Sequence, residues 1–140
     1  VEDQVGFILR RAHQRASGIF NEVMEKFSIT PTQFAALAKL DDLGSVSQNE
    51  LGRLTAMDPA TIFGVVSRLI KRGFVSQSMD SRDARLVILE LTQAGREATS
   101  AMKEVAAEIS RQTLAPLNHA ERAVFLRLLQ RLAINGTSDA

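Results

Sequence analysis

Residues 74–91 read Phe74-Val75-Ser76-Gln77-Ser78-Met79, then Asp80-Ser81-Arg82-Asp83-Ala84-Arg85, then Leu86-Val87-Ile88-Leu89-Glu90-Leu91. Two strand-like runs flank a charged six-residue tip, the pattern of a β-hairpin. Just upstream, a capped amphipathic helix ends in Lys71-Arg72-Gly73. This order predicts a mainly α protein: a winged helix-turn-helix with a two-stranded β wing, extended by N- and C-terminal dimerisation helices.

Asp58-Pro59 opens the helix before the hairpin, combining an N-cap with a proline in the first turn. Ile62, Val66, Leu69 and Ile70 recur at helical spacing and are expected inside. Ala60, Thr61, Gly64, Ser67, Arg68 and Lys71 then fall on the opposite side. That outward face is small and polar with basic ends, which suits close approach to the major groove of double-stranded DNA. Thr61, Ser67 and Arg68 are expected to address bases, Lys71 and Arg72 phosphates, and Ser47 and Gln48 of the preceding helix belong to the same candidate interface. Gly64 costs roughly 1 kcal/mol in a helix interior, which either a close DNA approach or tight packing on the helix from Ser47 would explain. For Phe63, general burial habits favour packing on the preceding helix over contact with a thymine methyl.

In the hairpin tip, Arg82 is assigned to the minor groove in preference to a solvated hairpin arginine. Asp80 is read as a brace orienting Arg82 or Arg85 through a charge-assisted hydrogen bond, and Asp83 is open between brace and solvated acid.

Working outward, Val5, Leu9, Ala12, Ala16, Ile19, Val23 and Phe27 describe one apolar stripe on a long helix over residues 2–26. Thr30-Pro31-Thr32-Gln33 supplies a capping box and a first-turn proline for the next helix, which Gly44 stops. Ser47-Gln48-Asn49-Glu50 is a second capping box, Thr92 caps the helix after the hairpin, and Asn118-His119-Ala120-Glu121 caps the last. Val124, Phe125, Leu128, Leu129 and Leu132 form the apolar side of that last helix. The terminal helices thus carry more apolar surface than a small winged lobe needs to cover, so a homodimer is expected. The division is one domain, with residues 1–30 and 92–134 as dimerisation helices, 31–91 as the winged lobe and 135–140 as a frayed tail.

The composition bounds the chemistry. The 140 residues hold 45% hydrophobic residues, enough for one core. With no cysteine, disulfides, thiolate metal sites and cysteine nucleophiles are excluded. No apolar stretch approaches the ~20 residues of a membrane span, and no signal-peptide pattern opens the chain, so a cytoplasmic location is expected; Val1 in first place points to a trimmed start. Net charge is only +1, from 17 basic and 16 acidic residues, so charge distribution has to carry the argument for a nucleic-acid partner. Between Arg53 and Met79 the basic residues Arg53, Arg68, Lys71 and Arg72 face Asp58 alone. His13 and His119 lack zinc-ligand partners, and no phosphate loop, nucleophile elbow or carboxylate pair is found, so no catalytic residue, metal or cofactor is assigned. The alternative to a DNA binder is a winged-helix protein-interaction module.

These residues resemble the MarR family of bacterial transcriptional regulators over nearly the whole chain. The resemblance rests on Ser47-Gln48-Asn49-Glu50-Leu51-Gly52, the helix over 60–73, the wing over 80–85 and Leu91-Thr92-Gln93-Ala94-Gly95. Arg10-Arg11-Ala12-His13-Gln14-Arg15, residues 32–37 and Ala60-Thr61-Ile62 with Gly64-Val65-Val66 are similar to the branch of NicR-type repressors of aromatic-acid catabolism. Phe63 departs from the polar residue that branch implies. The resemblance implies a repressor that leaves a palindromic operator when a small phenolic or carboxylate ligand binds between the dimerisation helices and the winged lobe. Arg10, His13, Ser17 and Phe20 share a face of the first helix, and with Phe34 they are the candidate seat for an aromatic carboxylate.

Overall fold

Helix starts follow the caps. The computed structural model describes residues 1–134, and the tail expected to fray at 135–140 lies outside the described residues. The chain runs α1 (Val5–Val23), a 3-10 turn (Glu25–Phe27), α2 (Pro31–Leu43), β1 (Ser45–Ser47), α3 (Gln48–Leu54), α4 (Pro59–Lys71), β2 (Val75–Met79), β3 (Val87–Leu91), α5 (Gln93–Thr113) and α6 (His119–Ile134).

At α2 the capping box is complete. The Thr30 hydroxyl accepts the Gln33 N–H at 3.2 Å while Gln33 Oε1 accepts the Thr30 N–H at 3.3 Å. Asn118 and Glu121 exchange the same pair of bonds, each 2.9 Å, at the start of α6. The box expected at α3 is only half formed: Ser47 Oγ accepts the Glu50 N–H at 3.2 Å, but the Glu50 carboxylate turns to Arg53 Nε at 2.9 Å. An ion pair to a guanidinium one turn on displaces the weaker return bond to a backbone amide.

The wing is larger than a two-stranded hairpin. β1 pairs antiparallel with β3, Val46 opposite Leu89, so the sheet has three strands in the order β1-β3-β2. Three residues are too short to show alternation, and what makes Ser45–Ser47 a strand is the free edge of β3 beside it.

One core gathers Leu37 and Leu40 of α2, Leu51 of α3, Ile62, Val66 and Leu69 of α4, Val75 and Leu89 of the sheet and Met102 of α5. From α1 and the residue that caps it, the core takes Phe20 and Met24, a row that flanks the expected stripe. Val5 and Leu9 of that stripe are exposed, and Ile19, Val23 and Phe27 half-buried. The expected single helix over 2–26 ends at Val23, followed by the 3-10 turn, with Ser28 in the left-handed region at φ 50°. α1 packs along α5, and Arg15 ties them by donating to the carbonyls of Thr113 (2.7 Å) and Gln112 (2.9 Å) in the last turn of α5. α6 has no buried residue; Val124, Phe125, Leu128 and Leu132 are all exposed.

The junction of sheet and α5 is tight. The Phe74 carbonyl accepts the Thr92 N–H at 3.0 Å, and the Thr92 hydroxyl donates to the Gly73 carbonyl at 2.6 Å while accepting the Gly95 N–H at 3.0 Å. A Cβ on Gly95 would stand 2.0 Å from the Phe74 carbonyl oxygen, inside its van der Waals surface. Nearby in sequence, the wholly buried Thr99 hydroxyl has no partner among the described residues. Gly95→Ala is expected to lower stability by roughly 1–3 kcal/mol through overpacking, and Thr99→Val to raise it by about 1 kcal/mol by removing an unsatisfied polar group. Urea unfolding at fixed protein concentration measures both; an unmoved midpoint in Gly95→Ala would mean that the junction gives way freely.

Candidate nucleic-acid interface

α4 is held by its buried side. Ile62, Val65, Val66 and Leu69 face the core, Val65 adding to the expected set, with Ile70 half-buried. At its N-terminus Asp58 Oδ1 accepts the Thr61 N–H at 2.7 Å. This backbone bond, then one from the Thr61 hydroxyl, lowers the Asp58 pKa and keeps it ionised at the positive end of the helix dipole. The turn before α4 is close: a Cβ on Gly52 of α3 would meet Ile62 Cγ2 at 3.0 Å and the Met57 carbonyl at 3.2 Å.

The outward face carries Ala60, Thr61, Phe63, Ser67, Arg68 and Lys71, all exposed, with Gly64 half-buried among them. A Cβ on Gly64 would meet nothing but Arg68 Nη1, at 3.1 Å. Packing against α3 therefore does not account for Gly64; Gly52 makes that approach instead. Phe63 is not buried against α3 either, being 63% exposed. Its spacing from Ala60 and Ser67, both placed outward in the sequence, carried the signal for this exposure. The Ser67 hydroxyl, expected to face bases, donates at 2.8 Å to the Phe63 carbonyl.

Arg68 and Lys71 form no ion pair with a carboxylate among the described residues. They line, with Ser28, Gln33 and Arg72, an open cleft of about 380 Å³. Arg72, grouped with Lys71 in the sequence, has a different position. Its guanidinium donates to the carbonyls of Ser28 and Phe27, both at 2.8 Å, and stacks 4.8 Å above the Phe74 ring. It brackets the end of α4 to the turn after α1.

In the wing, the half-buried Asp80 accepts the Arg82 N–H at 3.3 Å and its own N–H donates to the Leu86 carbonyl at 3.0 Å. Asp80 thus shapes the tip through the backbone. The brace on a guanidinium is Asp83, which accepts from Arg85 Nε at 3.0 Å and Nη2 at 3.1 Å. That pairing lowers the Asp83 pKa and raises that of Arg85. Arg82 is exposed and makes no ion pair with a carboxylate among the described residues. Ser47 spends its hydroxyl on the α3 cap, and Gln48 beside it is half-buried.

The second set of residues comes together in part. His13 Nε2 lies 3.5 Å from Ser17 Oγ, one turn along α1, and the Phe20 and Phe34 rings pack at 6.1 Å between centroids, tilted 56°. Phe20 is a core residue, Phe34 and Ser17 are half-buried, and Arg10 and His13 stand exposed at the far end. Among the described residues no group of three His, Asp or Glu side chains converges on a possible metal position, and no helix is long and apolar enough to cross a membrane.

The MarR family model matches residues 29–87. The HTH-type transcriptional repressor NicR of Pseudomonas putida is 42% identical over 94% of this chain and 84% of its own length. The chain belongs to the MarR family. A probable transcriptional regulator from Pseudomonas aeruginosa superposes with a TM-score of 0.91 at 49% identity, covering 94% of this chain and 98% of that one. BpsR of Bordetella bronchiseptica, whose DNA binding is regulated by 6-hydroxynicotinic acid, gives 0.90 at 37% identity and 94% of each chain. Membership makes the protein a winged-helix relative of transcriptional repressors, with α4 in the position of the recognition helix.

The two arginines of the cleft are separable by stability. Arg72→Ala is expected to cost roughly 1.5–3 kcal/mol, the scale of hydrogen bonds from a charged donor, while Arg68→Ala stays within about 0.5 kcal/mol, as for an exposed side chain without such partners. Thermal unfolding of the two variants checks this, and equal midpoints would remove the bracket.

Proposed function

We propose that the protein is a homodimeric repressor that binds a palindromic DNA operator and is released by a small aromatic acid. The observation that carries the reading is the outward face of α4, where Arg68 and Lys71 make no ion pair with a carboxylate among the described residues, together with Arg82 exposed at the tip of the wing. Cations left without internal partners are free to replace the counterions of a phosphate backbone. Two such faces, related by a two-fold axis about one DNA turn apart, roughly 34 Å, match a palindrome. The exposed apolar residues of α1 and α6 supply the surface on which two chains join.

The expected outcome is duplex binding that weakens steeply with salt. Arg82→Ala is expected to lose roughly 1–3 kcal/mol of operator affinity, the scale of a specific groove contact, with the helical circular dichroism unchanged. Fluorescence anisotropy on duplexes from the DNA beside the gene, across a salt series, measures this. Binding that ignored salt would remove the phosphate contacts from the account.

The ligand side rests on His13 beside Ser17, on the neighbouring Phe20 and Phe34 rings, and on the relative whose DNA binding responds to 6-hydroxynicotinic acid. The acid's carboxylate accepts hydrogen bonds from His13 or Arg10, and its ring lies along the half-buried Phe34, which packs on Phe20. Binding favours a spacing of the two α4 helices that no longer fits successive grooves, which requires different affinity for two states. Linkage is reciprocal, so an acid that weakens DNA binding tenfold binds the DNA complex tenfold more weakly, about 1.4 kcal/mol. Titration calorimetry with hydroxylated nicotinates and benzoates is expected to show heat with wild type and a weaker affinity with His13→Ala; equal affinity in the two proteins would clear His13 of the role.

A further inference from the structure

Phe63 is 63% exposed in the middle of α4, an uneconomical place for a ring unless something covers it. The helix itself puts it there. Ile62, Val65, Val66 and Leu69 take the buried side, so a residue three after Ala60 and four before Ser67 must project outward. Around it, two of the three residues chosen from the sequence for base contacts, Thr61 and Ser67, are engaged inside the helix, and Arg68 is not. Thr61 is occupied with Asp58, and the Ser67 hydroxyl donates to Phe63's own carbonyl. Gly64 leaves the space beside the ring empty except for the Arg68 guanidinium. An apolar ring therefore stands proud on a face whose neighbours are a glycine, an alanine and two cations that pair with no carboxylate among the described residues.

The floor of the major groove offers one apolar group, the C5 methyl of thymine. A benzyl ring has no hydrogen-bonding atom, so the cytosine amino group or a purine N7 beneath it would lose water and gain no partner, whereas a methyl group loses nothing. We propose that Phe63 selects thymine in the operator by packing its ring on that methyl, with Arg68 and Lys71 on the following turn holding the helix to the adjacent backbone. This assignment rests on the operator-binding reading above and adds to it the residue that sets part of the sequence preference.

The test uses the full chain as wild type, Phe63→Ala and Phe63→Leu, each first shown to match wild type in circular dichroism and sedimentation. Each protein selects duplexes from a randomised pool, and in the duplex selected by wild type every thymine is replaced in turn by deoxyuridine, which removes only the methyl. Wild type is expected to enrich thymine at a symmetric pair of positions and to lose about fourfold in affinity for each deoxyuridine placed there, the transfer value of one buried methyl. Phe63→Ala should bind thymine and uracil there equally, and Phe63→Leu should keep part of the difference. If uracil replaces thymine everywhere without loss, or if Phe63→Ala retains the full thymine preference, the assignment is overturned and Phe63 belongs to a protein contact instead. A wild-type protein that enriches no sequence overturns the operator-binding reading along with it.

Discussion

The Phe74 carbonyl is the point on which the architecture turns. It accepts the Thr92 N–H and lies against Gly95, and the Thr92 hydroxyl beside it reaches back to Gly73. Through these few atoms the end of α4, the start of β2 and the first turn of α5 are fixed to one another. Arg72, stacked over the Phe74 ring and bonded to the carbonyls of Phe27 and Ser28, adds the turn after α1 to the same joint. The direction in which α4 presents its outward face therefore depends on contacts at its far end, none of which touches that face. A glycine and a threonine outside the candidate interface position the residues proposed to bind.

What the sequence made legible is what it encodes locally. Caps at Thr30, Asp58, Thr92 and Asn118 depend on residues three positions apart, and the structure forms each of them. The buried side of α4 follows from its spacing for the same reason. The α1 face was harder, because the helix has apolar residues on two sides. Phe20 and Met24 join the core of the lobe, while Val5 and Leu9 remain outside it, a division that only packing decides. β1 exists because β3 offers it an edge, and the position of Arg72 depends on carbonyls 44 and 45 residues away. No pattern within the helix itself reveals either.

The candidate interface shows how a chain of net charge +1 can still present a cationic surface. Several of its carboxylates are spent on structure. Glu50 holds Arg53, Asp83 holds Arg85, Asp41 and Asp42 share Lys103, and Asp58 caps α4. The pKa of Lys103 is raised by Asp41 first and Asp42 second, and this exposed bridge pins α2 to α5. Arg68, Lys71 and Arg82 are among the cations without an ion pair to a described residue, and their position on α4 and the wing is what makes them the proposed groups to meet an anion. Grouping Lys71 with Arg72 as equivalent phosphate contacts overlooked that sorting, since Arg72 is already held by two backbone carbonyls and a ring.

The apolar side of α6 has a consequence for the cell. Val124, Phe125, Leu128 and Leu132 face water in the single chain, so the proposed dimer covers surface that no fold of one chain covers, and assembly and stability become parts of one equilibrium. Such a protein does not titrate its DNA in simple proportion to its abundance. Occupancy of a paired site then falls off faster than linearly as copies become few, because the active species needs two of them. A regulator present in small numbers would thus switch more sharply with its own synthesis and dilution than any single contact on α4 could make it do.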